Sequence, residues 1–142
     1  MLIFGQKERL IGTLLERLLE ERRGRVTAGL VIADEDDPQL PYLLSGLSDA
    51  DFLVINGDCK ALFPYLSGLA CPVITYGYSG KTCVTASSTD PEVQICIQRD
   101  LPSMNGEKLE QREFTYHPLH HEPADCVLAA VTAALVCNCD FS

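Results

Sequence analysis

The sequence predicts an α/β protein: a Rossmann-like three-layer open sheet, mainly parallel, with an appended antiparallel β-ribbon and a C-terminal helix. Three observations carry this. Short, continuously apolar runs alternate with amphipathic helical stretches over residues 1–77, the grammar of parallel strands covered on both faces. Residues 78–118 then switch to Thr- and Val-rich runs with two-residue alternation around an Asn-Gly turn. Residues 119–142 hold an alanine-rich apolar stretch with helical composition. At 142 residues the chain is read as one domain.

The elements follow in order. Leu2 to Phe4 is an apolar run ending at Gly5, read as the first strand. From Gln6 to Arg23, Leu10, Leu14 and Leu18 form one row and Ile11, Leu15 and Leu19 the next. Glu and Arg fill the other face, so one stripe of this helix is buried. Gly24 is the expected left-handed residue after it. Val26 to Ala33 is β-branched and apolar, a buried strand. Asp37 is expected to cap a helix that has Pro38 at its first position and carries Leu40, Leu43 and Leu44. Phe52 to Ile55 reads as a strand closed by Asn56-Gly57-Asp58. A short helix with Leu62, Phe63 and Leu66 then leads to a strand at Val73 to Tyr76. Right-handed crossovers are expected to stack these units.

In the second half, Thr82 to Ser87 and Val93 to Ile97 read as strands. Asn105-Gly106 predicts a type I′ hairpin, and Glu110 to Tyr116 returns as its partner. Pro118 and Pro123 mark a connector to a helix over Ala124 to Cys137.

The formal charge of −9 disfavours nucleic acid and anionic membranes as partners, because phosphate backbones and acidic headgroups are repelled. Seven cysteines, an odd number with irregular spacing and with Cys96 and Cys126 inside apolar runs, point to buried reduced thiols and a cytoplasmic setting. The start lacks the basic and apolar regions of a signal peptide, and the longest apolar run, Cys126 to Cys139, is too short for a membrane span.

Two stretches compete as phosphate cradles. Gly77-Tyr78-Ser79-Gly80-Lys81-Thr82 ends like a P-loop, in which backbone N–H groups face phosphate, Lys reaches the terminal phosphates and Thr holds Mg²⁺. The first glycine of that motif would fall at Thr75. The motif also needs a helix directly after Gly-Lys-Thr, whereas Cys-Val-Thr-Ala-Ser-Ser follows. The context therefore favours a turn between strands. Gly5 and Lys7 have the right strand–loop–helix context but a single glycine, so a plain βα turn competes with anion binding there.

Asp34, Glu35, Asp36 and Asp37 sit at the carboxyl end of a strand, where open α/β sheets carry their ligands. Asn56 and Asp58 end the next strand at the same edge. Carboxylates there could hold Mg²⁺ or belong to a solvated loop. The candidate binding set is Gly5, Lys7, Asp36, Asp37, Asn56 and Asp58, with no catalytic residue and no metal site. His117, His120, His121, Cys137 and Cys139 lack zinc-ligand spacing.

Taken together, Val-Ile-Asn-Gly-Asp (54–58), Leu-Phe-Pro-Tyr-Leu (62–66) and Pro-Val-Ile-Thr-Tyr-Gly (72–77) resemble the central domain of the Mur ligases, the ATP-dependent amide ligases of peptidoglycan synthesis. Val84 to Ser88 is similar to the family's next strand, the hairpin at Asn105-Gly106 to its β-ribbon, and Asp125 to Leu135 to its "N-x-L-A-A" helix. The resemblance covers roughly residues 50–140. It implies a core that binds ATP and Mg²⁺ and a link to cell-wall precursors. The departures are specific. Gly5-Gln6-Lys7 is the only equivalent of G-T-x-G-K-[ST], making it a degenerate P-loop. The family's "H-N-x-x-N" reads Glu122-Pro123-Ala124-Asp125-Cys126, without asparagines for the adenine, and Cys59 replaces the second Asp after Asn56. The family's UDP-sugar and amino-acid domains have no counterpart in these residues. The expectation is a binding or assembly module without catalysis or cofactor, acting with a partner protein or as a homodimer. The alternative is an enzyme that binds a nucleotide or UDP-sugar at the carboxyl edge with ATP and Mg²⁺.

Overall fold

A computed structural model of the protein describes residues 1–142. Its elements are β1 (Leu2–Phe4), α1 (Glu8–Glu21), β2 (Leu30–Ala33), α2 (Leu40–Ser45), β3 (Phe52–Asn56), a 3₁₀ turn (Lys60–Tyr65), β4 (Val73–Tyr76), β5 (Val84–Ser88), β6 (Val93–Ile97), β7 (Arg112–Tyr116) and α3 (Ala124–Val136). They build one mixed seven-stranded sheet in sequential order β1 to β7. β1 through β5 pair in parallel, while β5–β6 and β6–β7 are antiparallel. The expected α/β class, parallel first half, ribbon and closing helix are all present. No helix is long and apolar enough to cross a membrane.

Alternate strand residues face opposite sides of the sheet and feed two separate cores. Leu30, Ile32, Val54 and Ile74 join α1 and α3 on one face. Val31, Ala33, Leu53 and Ile55 join Leu40 and Leu44 of α2 and Leu62 of the 3₁₀ turn on the other. The strands thus read as unbroken apolar runs because both of their faces are covered.

Uniform right-handed crossovers are not what forms. The strands advance one way across the sheet, yet the β1–β2 connection lies on the α3 face and the next two on the opposite face. Connections on opposite faces of strands that advance one way have opposite hands. The long helices α1 and α3 occupy the first face together. That leaves the second face to the six-residue α2 and the 3₁₀ turn.

Ile11, Leu14, Leu15 and Leu18 are the buried stripe of α1, as its periodicity predicts, while Leu10 stays partly exposed. The left-handed residue after α1 is Arg23 (φ 60°), not Gly24. Gly24 is needed for space: a Cβ there would lie 2.3 Å from Cys139 Sγ and 2.9 Å from Leu19 Cδ2. β2 starts at Leu30, four residues later than the apolar run suggests. The Asp37 carboxylate does accept a bond, from the Gln39 N–H at 2.8 Å. It closes a turn ahead of α2, whose early proline is Pro41 and not Pro38.

Nothing helical separates β4 from β5. Only Tyr76 and Val84 are in register, so β5 continues past the end of β4 and carries the ribbon beyond the parallel strands. At the ribbon's far end, Gly106 has positive φ (86°) and Asn105 does not, so the turn is not type I′. Tertiary bonds replace the hairpin geometry. Asn138 accepts from the Asn105 N–H at 2.9 Å and donates to Ser103 Oγ at 2.9 Å, and Met104 N–H reaches Val136 O at 2.8 Å. The ribbon tip is therefore docked on the end of α3.

Every α3 residue from Cys126 to Val136 is buried, and its one hydroxyl, on Thr132, donates to Leu128 O at 2.7 Å. The chain end folds back over it. Asp140 N–H donates to Arg22 O, and Phe141 stacks on Phe114 with ring centroids 4.9 Å apart. All seven cysteines are free thiols. Cys71, Cys126, Cys137 and Cys139 are buried as expected, but Cys96 is only half-buried, on the polar side of β6. Burial pushes the Cys137 thiol up to about 12 and those of Cys126 and Cys139 to about 11, so they stay protonated at neutral pH.

Gly24→Ala is expected to lower stability by about 1–3 kcal/mol through overpacking against Cys139. A shift of the urea midpoint without a change in slope checks this.

Candidate functional site

The four parallel strands β1–β4 end on one edge, and the residues that follow them converge there. Lys7 lies in the β1–α1 turn, Asp34–Asp37 follow β2, Asn56–Asp58 close β3, and the loop 77–83 follows β4. The amino end of α3 joins them, because Lys7 is bonded to and ion-paired with Asp125.

Asp34 anchors this edge. Its N–H donates to Phe4 O at 2.9 Å, and its side chain is turned inward and buried. The buried Tyr76 hydroxyl donates to Asp34 Oδ1 at 2.6 Å. Burial raises the Asp34 carboxyl above its ordinary value, more than the Tyr76 bond and Lys7 lower it. Burial and the Asp34 charge in turn push the Tyr76 phenol far up.

Asn56 ties strand ends together. Its amide donates to Asp34 O at 3.1 Å and its Oδ1 accepts from the Asp58 N–H at 2.9 Å. Asp58 accepts from the Tyr78 N–H at 2.7 Å. That contact requires glycine at 77, where φ is +152° and a Cβ would lie 2.7 Å from the carboxylate.

Loop 77–83 leads into a strand, as the sequence context favours, with β5 starting at Val84 rather than at Thr82. The Thr82 side chain is buried, and its hydroxyl faces the carbonyls of Ser79 (2.8 Å), Gly77 (3.1 Å) and Val84 (3.2 Å). Gln98 Nε2 donates to Thr82 O at 2.8 Å. The hydroxyl that a P-loop would turn toward Mg²⁺ here holds the loop closed.

The six candidate residues do not form one site. Gly5, Asp36 and Asp37 line an open cleft of about 980 Å³ beside β1, with Glu8, Glu35, Tyr42 and Leu43. Asp36 also accepts the Tyr65 hydroxyl at 2.7 Å. Asn56 lines a separate hollow of about 170 Å³ with Lys81 and Phe63. Lys7 turns to Asp125, and Asp58 to the β4 loop. No three His, Cys, Asp or Glu side chains gather in a metal-binding group; His117 faces Glu92 instead of joining Cys137 and Cys139.

Tyr76 and Asp125 are central to this edge and absent from the sequence-derived set. Tyr76 sits 42 residues from Asp34 and Asp125 sits 118 from Lys7, separations at which no spacing rule operates. The sequence matches no protein-family model and no curated protein.

A raised Asp34 pKa has a definite sign. As pH rises above the ordinary value of 3.8, the unfolded chain releases this proton first, so stability falls with pH until the folded value is reached. Asp34→Asn keeps an acceptor for Tyr76 and is expected to match or exceed the parent's stability at pH 7 while flattening that fall. Asp34→Ala leaves the Tyr76 hydroxyl unpaired and is expected to cost about 1–3 kcal/mol. Denaturant titrations from pH 4 to 7 distinguish the three proteins, and parallel pH profiles for parent and Asn variant contradict the raised pKa.

Proposed function

We propose that the protein is a binding or assembly module built on a Mur-ligase-like, Rossmann-like layered domain, without ligase or ATPase chemistry, and connected with cell-wall precursor metabolism through that resemblance. The observation that carries the reading is the Lys7–Asp125 pair. Lys7 occupies the place that the resemblance gives to the phosphate-binding lysine, and Asp125 lies in the stretch matching the family's adenine-side motif. Each neutralises the other.

Electrostatics supports the same reading. The first turns of α1 and α3 carry Glu8 and Asp125, so the partial positive charge of each helix start already faces a carboxylate. An incoming phosphate would meet like charge at both. At the other candidate cradle Lys81 precedes an extended chain, with no helix start behind it. What remains is a rigid edge of mutually bonded polar groups and an acidic surface suited to protein contacts.

The purified protein is expected to show no ATP turnover above a blank, and no change in Tm with Mg·ATP or a UDP-sugar. Turnover, or a thermal shift that Lys7→Ala abolishes, selects the nucleotide- or UDP-sugar-binding enzyme instead.

A further inference from the structure

We propose that the cleft along the open edge of β1 receives an extended basic segment of a partner protein, which adds a strand beside Ile3 and sets Lys or Arg side chains against Glu8 and Glu35. This rests on the reading of the protein as a binding module and names the chemistry of what it binds.

Backbone direction comes first. β1 is an edge strand, paired only with β2. Asp34 N–H donates to Phe4 O, which turns the peptide groups of Phe4 toward β2. Alternation along a parallel ladder then turns the N–H and C=O of Ile3 outward, toward the free side. A small organic cation cannot satisfy that pair; an extended peptide can.

Charge selects the peptide. The cleft is lined by Glu8, Glu35, Asp36 and Asp37 and by no Lys or Arg. Asp36 and Asp37 are engaged with Tyr65 and Gln39. The chain's ion pairs, Lys7–Asp125, Arg17–Glu122 and Lys108–Asp100, and the His117–Glu92 contact leave Glu8 and Glu35 free. Leu2 and Tyr42, 49% and 82% exposed, offer apolar area and an aromatic face that also accepts a cation. A second copy of this chain would present the same four carboxylates and be repelled. A basic segment is also drawn in by the net charge of −9.

The test uses the whole protein and three fluorescein-labelled octapeptides: alternating Lys-Val, alternating Glu-Val, and Lys-Val with N-methylated central residues. Anisotropy is expected to rise with the first, stay flat with the second, and show binding at least about tenfold weaker with the third. Amide NMR shifts with the first peptide are expected at residues 2–5 and 35–43. Glu8→Lys/Glu35→Lys is expected to weaken binding by about tenfold or more. Equal binding of the methylated peptide, shifts scattered over other acidic surfaces, no binding, or a dimer that protects residues 2–5 overturns the proposal; none of these depends on how the charge variant folds. Loss of the docked strand leaves the catalytically silent module standing, whereas ATP turnover with peptide binding intact removes only the latter.

Discussion

Helix α3 has no side that tolerates water, and the rest of the fold is arranged to enclose it. Residues Cys126 to Val136 are all buried. A helix apolar all round must be surrounded or it will not stay folded. The sheet covers one side, α1 packs along another, the ribbon tip closes the carboxyl end, and the chain terminus returns over the remainder. Ala129, Ala130, Ala133 and Ala134 keep the helix narrow enough for these neighbours to approach. Gly24 has the same role on the facing segment, where Cys139 would collide with any side chain.

That enclosure also determines the character of the carboxyl edge. Placing the amino end of α3 beside the β1–α1 turn brings Asp125 to Lys7. Asp34 is pressed inward, where Tyr76 supplies its partner, and Asn56 and Asp58 close on neighbouring backbone. Buried polar groups are retained only when paired, and here Asp34 and Tyr76 pair with each other. Lys7, Asp34, Asn56 and Asp58 are thus engaged in internal bonds at the carboxyl edge, while Gly5, Asp36 and Asp37 line the open cleft beside β1.

Much of this architecture was legible along the chain. The i, i+3, i+4 rows of α1, the apolar runs of β2 to β4 and the alternation of β6 each record a face that must be buried, and burial leaves a periodic trace. The boundaries that failed are those decided from outside the element. Val26 to Ala28 has strand composition but no strand partner, and the Asn105-Gly106 turn takes its shape from Asn138 and Val136 rather than from its own residues.

The sequence by itself determined the order of elements, the switch from parallel units to an antiparallel ribbon, and the absence of a helix after Gly80-Lys81-Thr82, because these depend on short-range periodicity and β-branched composition. Only the tertiary structure decided which face each helix covers, the hand of the first crossover against that of the next two, and the partners of Lys7, Asp34 and Tyr76. Those depend on contacts between residues far apart in the chain, 118 positions for Lys7 and Asp125, chosen by the packing of whole elements and by the pairing of buried groups such as Asp34 and Tyr76, and no local pattern encodes them.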